Sequence, residues 1–142
     1  MSTSEQLIIL TVDDNPLMGE ALAAICTNAQ LGMRVHSHFL SGEGVVEAVE
    51  ALRPDVVVMD LDMPGTDTFA LVREITQISP DTHVLMLSGH LKGDDILACL
   101  DAGASGYIHK DQAPAFIRDA VRRTALGEFV LCADAARAAQ LI

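Results

Sequence analysis

Three aspartates, one serine and one lysine follow short apolar runs of this sequence and could form one chemical site. Asp13 and Asp14 are adjacent behind the first run, and Asp60 follows the most hydrophobic run. Ser88 and Lys110 follow two later runs. Carboxylates that crowd together repel one another and raise one another's pKa, unless a cation lies among them. The pattern therefore predicts a cation site.

The predicted cation is Mg2+. Oxygen ligands without a nearby cysteine or histidine pattern favour a hard ion, and a site with few carboxylates suits Mg2+ better than a closed Ca2+ cage. Lys110 adds a positive charge, so the lysine and Mg2+ together balance the three carboxylates and still attract an incoming phosphoryl group. This combination is typical of phosphoryl transfer.

Alternating strand and helix patterns position these residues. Strands are predicted at residues 7–12, 34–39, 55–59, 83–87 and 106–109. Apolar residues at helical spacing follow each strand, and the apolar run at 56–59 indicates a strand that is covered on both faces. Asn15 before Pro16 predicts a helix start, while Gly103 and Gly127 predict helix ends. Five strand-helix units predict a doubly wound parallel α/β sheet, in which ligands bind beyond the carboxyl ends of the strands.

Composition and charge exclude several classes of function. The 142 residues suit one domain. The formal charge of -11 and the absence of a basic block argue against direct nucleic-acid binding by this chain. No apolar run approaches the roughly 18 residues of a membrane span, and residues 1–6 lack the positive charge that begins a signal peptide. We therefore expect a cytoplasmic protein.

The cysteines and two neighbouring histidines predict no second site. Cys26, Cys99 and Cys132 lie far apart and are odd in number, which predicts buried free thiols. His36 and His38 alternate along one predicted strand, and no third metal ligand is evident near them. We expect both histidines to lie on an exposed strand face.

Four motifs resemble, in their order and separations, those of the receiver domain of bacterial two-component response regulators. They are VDDNP (12–16), VVVMDLDMPG (56–65), LSG (87–89) and GYIHK (106–110). The resemblance covers about residues 7–126, and AGASGYIHKD with RRTALGE resembles the NarL/FixJ (LuxR-type) subfamily. It implies a flavodoxin-like (βα)5 fold with a parallel five-stranded sheet in the order 2-1-3-4-5.

The resemblance also implies a role for each acidic residue and for the lysine. Asp60 would accept a phosphoryl group from a phosphohistidine of a sensor histidine kinase. Asp14, Asp60 and the backbone carbonyl of Asp62 would bind Mg2+ directly, and Asp13 would bind it through a water molecule. Lys110 would draw charge from the phosphoryl oxygens. The chain would catalyse only its own phosphorylation and dephosphorylation, so it would not be an enzyme in the usual sense.

A second set of residues would respond to the phosphoryl group. Ser88 would donate its hydroxyl to a phosphoryl oxygen, and Gly89 would leave the approach free of a side chain. Tyr107 would be the switch aromatic that moves inward with Ser88, together with the loop and helix at 88–101. Asp62 and His90 would tune the lifetime of the phosphoryl group.

The predicted boundaries are a receiver domain at residues 1–127 and a linker or short C-terminal helix at 128–142. In NarL/FixJ proteins such a segment leads to a helix-turn-helix DNA-binding domain, which this sequence lacks. We therefore expect the N-terminal part of a transcription regulator, and the alternative is a stand-alone receiver that acts by binding protein. Phosphorylation could drive homodimerisation, through either the first and last or the fourth and fifth helices.

A phosphatase is the alternative from another class. Asp60-Leu61-Asp62 behind a hydrophobic strand also resembles the nucleophile motif of haloacid-dehalogenase-type phosphatases, with Asp60 as nucleophile and Asp62 as acid/base. Three features disfavour it: Pro64 replaces the usual Thr or Val, the motif lies far from the N-terminus, and the acidic pair precedes it.

Overall fold

A parallel sheet with helices on both faces forms the structure, a computed structural model that describes residues 6–142. The strands are β1 (Leu7–Val12), β2 (Met33–Phe39), β3 (Val56–Met59), β4 (His83–Ser88), β5 (Gly106–His109) and β6 (Val130–Leu131). All neighbouring pairs are parallel, and their order within the described residues is β2-β1-β3-β4-β5-β6. The predicted α/β class with a parallel sheet is confirmed.

The predicted number of five strands is wrong, because β6 adds a sixth strand beside β5. The Val130 N–H donates to the Ser105 carbonyl, and the Cys132 N–H donates to the Tyr107 carbonyl, at 3.1 and 3.3 Å. A strand of two residues is too short to show an alternating apolar pattern, so it could not be predicted from periodicity.

The helices follow the predicted apolar spacing. They are α1 (Pro16–Cys26), α2 (Val45–Leu52), α3 (Thr68–Ile78), α4 (Gly93–Ala102), α5 (Pro114–Ala125) and α6 (Ala133–Ala138). The Asn15 side chain caps α1 by accepting from the Leu17 N–H at 3.0 Å, as its position before Pro16 predicted. Gly103 ends α4 in the left-handed conformation, with φ 116°, which glycine adopts without strain.

The core consists of the central strands and the apolar faces of the helices. All four residues of β3 are at most 1 % exposed, as expected for a strand that is covered on both sides. Cys26, Cys99 and Cys132 are buried free thiols, as predicted. Within the described range, none of the helices has the length and apolar character that crossing a bilayer requires.

The C-terminal segment, residues 130–138, packs closely against β5 and α4. A Cβ atom at Gly106 would overlap the Val130 carbonyl oxygen, and one at Gly93 would overlap the Ala138 carbonyl oxygen. Both glycines therefore permit the backbone of this segment to approach. The segment contains a short helix, α6, while the boundary at residue 127 stays a prediction.

A β-bulge sets the register between β1 and β2. Ile9 pairs with Val35, but Leu10 pairs with Ser37, so His36 is an extra residue in β2. The shift brings Thr11 opposite His38 instead of Ser37. Directly opposed residues project from the same face of a sheet, so these two side chains can meet.

Candidate functional site

The predicted site residues meet at the carboxyl ends of four adjacent strands. Asp13 follows β1, Asp60 follows β3, Ser88 ends β4, and Lys110 follows β5. Backbone hydrogen bonds hold these ends in line: the Asp60 N–H donates to the Val12 carbonyl and the Lys110 N–H donates to the Ser88 carbonyl, each at 2.8 Å. The sequence analysis predicted that all of these residues lie at the carboxyl ends of the strands, and the structure brings them together there.

Three carboxylates form the acidic part of the site. Asp13, Asp14 and Asp60 each offer a carboxylate oxygen, and these oxygens all lie within 4.8 Å of one another. Asp13 and Asp60 are 2 % and 4 % exposed, whereas Asp14 is exposed. Burial raises the pKa of Asp60, Lys110 opposes this shift, and the charge of Asp13 adds to it. The arrangement can hold a hard divalent cation, which would relieve the repulsion.

Lys110 supplies the positive charge that is built into the site. Its Nζ lies 2.8 Å from Oδ2 of Asp13 and 3.4 Å from Oδ1 of Asp60. Burial opposes the charged form, but the two carboxylates outweigh it and raise the pKa of Lys110. The ammonium group therefore stays charged and lies beside the Asp60 carboxylate, directly after β3.

Asp13 is held by its backbone as well as by its side chain. Its Oδ1 accepts from the Asn15 N–H at 2.9 Å, while Oδ2 faces Lys110. Its N–H donates to the Phe39 carbonyl at 2.9 Å, and its own carbonyl accepts from Nε2 of His38 at 3.0 Å. Residues of β2 therefore fix the turn that carries the acidic pair.

Ser88, His90 and Tyr107 are linked by hydrogen bonds beside the acids. The His90 N–H donates to Oγ of Ser88 at 3.2 Å, and the Tyr107 hydroxyl donates to the His90 carbonyl at 3.0 Å. Tyr107 is fully buried, and burial raises its pKa to about 12. A Cβ at Gly89 would meet nothing within 4 Å, so the space beside this glycine is open.

His90 also joins two carboxylates across the mouth of the site. Its Nδ1 lies 2.8 Å from Oδ2 of Asp62, and its Nε2 lies 3.1 Å from Oδ2 of Asp95. The sequence analysis gave Asp62 and His90 the same tuning role, but it did not identify Asp95. An acidic residue in the first turn of α4, five positions after His90, was the available signal.

His38 is the second residue that sequence reasoning missed, and its assignment to an exposed strand face is wrong. The residue is partly buried, and both of its ring nitrogens have hydrogen-bond partners, Thr11 and the Asp13 carbonyl. The bulge at His36 moves it into this position. Gly19, a glycine in the interior of a predicted helix, was a signal that something packs closely there.

Comparison with known proteins agrees with this geometry. Residues 9–122 match the family model described as the response regulator receiver domain. The chain is 36 % identical over 119 residues to the transcriptional activator protein ExaE of Pseudomonas putida, covering 84 % of this chain and 55 % of that protein. It is 30 % identical over 131 residues to the nitrate/nitrite response regulator protein NarL of Escherichia coli K12, covering 92 % and 60 %.

A solved structure shows the same fold over nearly the whole chain. The crystal structure of a two-component response regulator of the LuxR family from Aurantimonas sp. SI85-9A1 superposes with a TM-score of 0.86 at 26 % identity, covering 96 % of each chain. By contrast, the chain spans only 55 to 60 % of the length of the two sequence relatives.

Proposed function

The chain belongs to the response regulator receiver domain family, on its NarL/FixJ-like (LuxR-type) branch, and from this premise we propose its function. Asp60 accepts a phosphoryl group from a phosphohistidine of a sensor histidine kinase, in a Mg2+-dependent reaction. One observation above all supports this: the Lys110 ammonium lies beside the buried carboxylates of Asp13 and Asp60, at 2.8 and 3.4 Å. The chain catalyses only its own phosphorylation and dephosphorylation.

The acidic residues fit a Mg2+ ion by their chemistry. Asp14, Asp60 and the backbone carbonyl of Asp62 would hold the ion, and Asp13 would contact it through water. Three carboxylate oxygens within 4.8 Å of one another are suitable ligands for a hard cation. When bound, the ion would neutralise carboxylate charge and draw charge from the transferred phosphoryl oxygens.

In the phosphoryl transfer itself, the side chains other than Asp60 position the reacting groups and stabilise charge, and they form no covalent bond. A carboxylate oxygen of Asp60 attacks phosphorus in line. The new P–O bond forms as the P–N bond to the kinase histidine breaks, and the electron pair of that bond returns to the imidazole ring. Lys110 stabilises the charge on the equatorial oxygens, and the Ser88 hydroxyl donates to one of them.

The response begins at Ser88. Its hydroxyl oxygen accepts the His90 N–H, and the His90 carbonyl accepts the Tyr107 hydroxyl. A phosphoryl group on Asp60 that attracts the Ser88 hydroxyl therefore acts on both neighbours. We assign the change of conformation to residues 88–101 and to Tyr107, because a small change in charge needs a two-state element to have a larger effect.

Asp62 and His90 set the lifetime of the phosphoryl group. Their side chains lie 2.8 Å apart at the mouth of the site and are 61 % and 30 % exposed. Water that hydrolyses the aspartyl phosphate would approach through this region, and Gly89 leaves it open because nothing lies within 4 Å of where its Cβ would be.

The whole protein is a transcription regulator whose receiver controls DNA binding by residues outside this chain. The relatives support this proposal, because the chain matches only 55 to 60 % of their length and one of them is a transcriptional activator. The chain itself carries a formal charge of -11, which disfavours contact with DNA. Homodimerisation on phosphorylation belongs to the same proposal, and a stand-alone receiver that binds protein is the alternative.

A mass measurement tests the central step. We would incubate the chain with acetyl phosphate and Mg2+ and measure the intact mass of the wild type and of Asp60→Asn. We expect one phosphoryl adduct that needs both Mg2+ and Asp60. An adduct that persists in Asp60→Asn or without Mg2+ would contradict the proposal, and turnover of p-nitrophenyl phosphate would instead support the phosphatase.

A further inference from the structure

We propose that His38 is a positioning residue of the Mg2+ site, which acts by fixing the turn that carries Asp13 and Asp14. The inference rests on the proposed function for the identity of the ion. Its structural basis is separate, because it comes from contacts between β2 and the end of β1. His38 itself does not belong to the acidic cluster.

Asp13 makes both of its backbone hydrogen bonds to the end of β2. Its N–H donates to the Phe39 carbonyl at 2.9 Å, and its carbonyl accepts from Nε2 of His38 at 3.0 Å. The first bond continues the strand ladder, but the second is made by a side chain. Through the His38 ring, β2 therefore also contacts the backbone beyond Val12, where β1 ends.

The orientation of the ring is determined by its two partners. A carbonyl oxygen only accepts, so Nε2 carries a hydrogen and donates to Asp13, while Nδ1 is hydrogen-bonded to the Thr11 hydroxyl at 2.6 Å. Thr11 is fully buried and lies opposite His38 because of the bulge at His36. A histidine that is bonded at both nitrogens in this way is held in one orientation.

Gly19 of α1 provides the space for this ring. A Cβ at Gly19 would lie 2.5 Å from both Cγ and Cδ2 of His38. Glycine in a helix interior is destabilising relative to alanine, so its presence here needs a reason, and close packing on the histidine ring supplies one. The ring thus lies between α1 and the acidic turn.

The consequence for the metal site follows from the chain itself. Asp13 and Asp14 are consecutive, so a fixed Asp13 backbone restricts the position of both carboxylates. A site whose ligands are already in place loses less conformational entropy when the ion binds. Hydrogen-bond partners that orient metal ligands typically change metal affinity by about 10-fold or more when they are removed.

Variants of the histidine test the hydrogen bond to Asp13. We would measure Mg2+ binding by isothermal titration calorimetry on the whole chain, without a phosphoryl donor, for the wild type, His38→Leu and His38→Gln. We expect His38→Leu to raise the Mg2+ dissociation constant about 10-fold. His38→Gln should largely restore affinity, because its amide can donate to the Asp13 carbonyl. His36→Leu is the matched control, since His36 is exposed and, among residues 6–142, its ring is hydrogen-bonded only to the neighbouring Ser37.

Gly19 gives a second and independent test of the same contact. Gly19→Ala displaces the ring without removing a polar group, so it should also weaken Mg2+ binding. In a His38→Ala background, Gly19→Ala should have no further effect, because the ring that it displaces is absent. This pair keeps the inference testable if His38→Leu does not fold.

The outcomes separate this inference from the proposed function. If the wild type binds Mg2+ and Asp60→Asn binds it more weakly, while the His38 and Gly19 variants bind like the wild type, His38 has no positioning role and the proposed function stands. Equal losses in His38→Leu, His38→Gln and His36→Leu would also overturn the inference, since they would indicate a general loss of stability. A wild type that binds no Mg2+ would overturn both.

Discussion

Nδ1 of His90 lies 2.8 Å from Oδ2 of Asp62, so a side chain of the loop after β4 is bonded to one of the loop after β3. The same ring reaches Asp95 in the first turn of α4 at 3.1 Å. The mouth of the acidic site is therefore connected directly to the helix that we expect to respond to phosphorylation.

The first prediction concerns the lifetime of the aspartyl phosphate. His90→Ala removes a side chain from the mouth of the site and frees the Asp62 carboxylate, so we expect faster loss of phosphate by about three- to tenfold. Asp62→Asn should change the lifetime less in the His90→Ala background than alone, because the two side chains are in contact. The loss of the phosphoryl adduct over time, measured by intact mass spectrometry, checks this prediction. Unchanged lifetimes in both single variants would contradict it.

The second prediction concerns the contribution of Lys110 to stability when no metal ion is bound to the acidic residues. Lys110→Met leaves the carboxylates of Asp13 and Asp60 without the ammonium group, and we expect a loss of about 1.5–3 kcal/mol in the free energy of unfolding in EDTA. Mg2+ should restore part of this loss, because it supplies the missing positive charge. Urea unfolding with and without Mg2+ measures both effects, and Lys110→Arg is the control that keeps the charge.

The third prediction is a dependence of stability on pH that arises from Asp60. Burial raises its pKa above the ordinary value of 3.8, with Asp13 adding to the shift. A raised carboxyl pKa means that the folded state disfavours the charged form, so stability falls as pH rises through the pKa of the folded state. In EDTA, Asp60→Asn should therefore have a higher Tm than the wild type at neutral pH, and the difference should vanish in acid below 3.8.

Thermal unfolding over a series of pH values tests this. Asp81→Asn is a suitable control, because Asp81 is an exposed aspartate between α3 and β4. A lower Tm for Asp60→Asn at neutral pH in EDTA would show that the interaction with Lys110 outweighs burial, against the prediction.

The fourth prediction concerns the C-terminal segment. Gly93→Ala places a Cβ where the Ala138 carbonyl lies, and we expect α6 to move away from α4 with a loss of about 1–3 kcal/mol. Cys132 is 2 % exposed and precedes α6, so its rate of alkylation should rise in this variant. Peptide mass spectrometry would follow Cys132 with buried Cys26 as internal reference, and Leu97→Ala on the exposed face of α4 should leave the rate unchanged.

Much of the site could be predicted because strand ends are visible in the sequence. An apolar run that stops at Asp13, Asp60 or Lys110 marks both the element and the side chain at its carboxyl end. The parallel topology then brings these positions together, since every strand of such a sheet ends at the same edge. No knowledge of side-chain direction was needed for that step.

The parts that could not be predicted depend on register and side-chain direction. His38 reaches the acidic turn because one extra residue, His36, shifts the pairing of β2 with β1. Single-residue bulges leave no periodic signal in a short strand. The contact between His90 and Asp95 depends on how one loop turns into α4, which spacing along the chain does not determine.

The two-residue strand β6 also has a consequence for solubility. The N–H groups of Val130 in β6 and of Cys132 directly after it donate to the Ser105 and Tyr107 carbonyls on the outer side of β5. Exposed strand edges are templates for pairing with other chains, and very short terminal strands are one way in which proteins block them. In a chain shortened to residue 128, this edge of β5 would be exposed and would be able to pair with a neighbouring molecule. We therefore expect β6 to reduce aggregation of the chain.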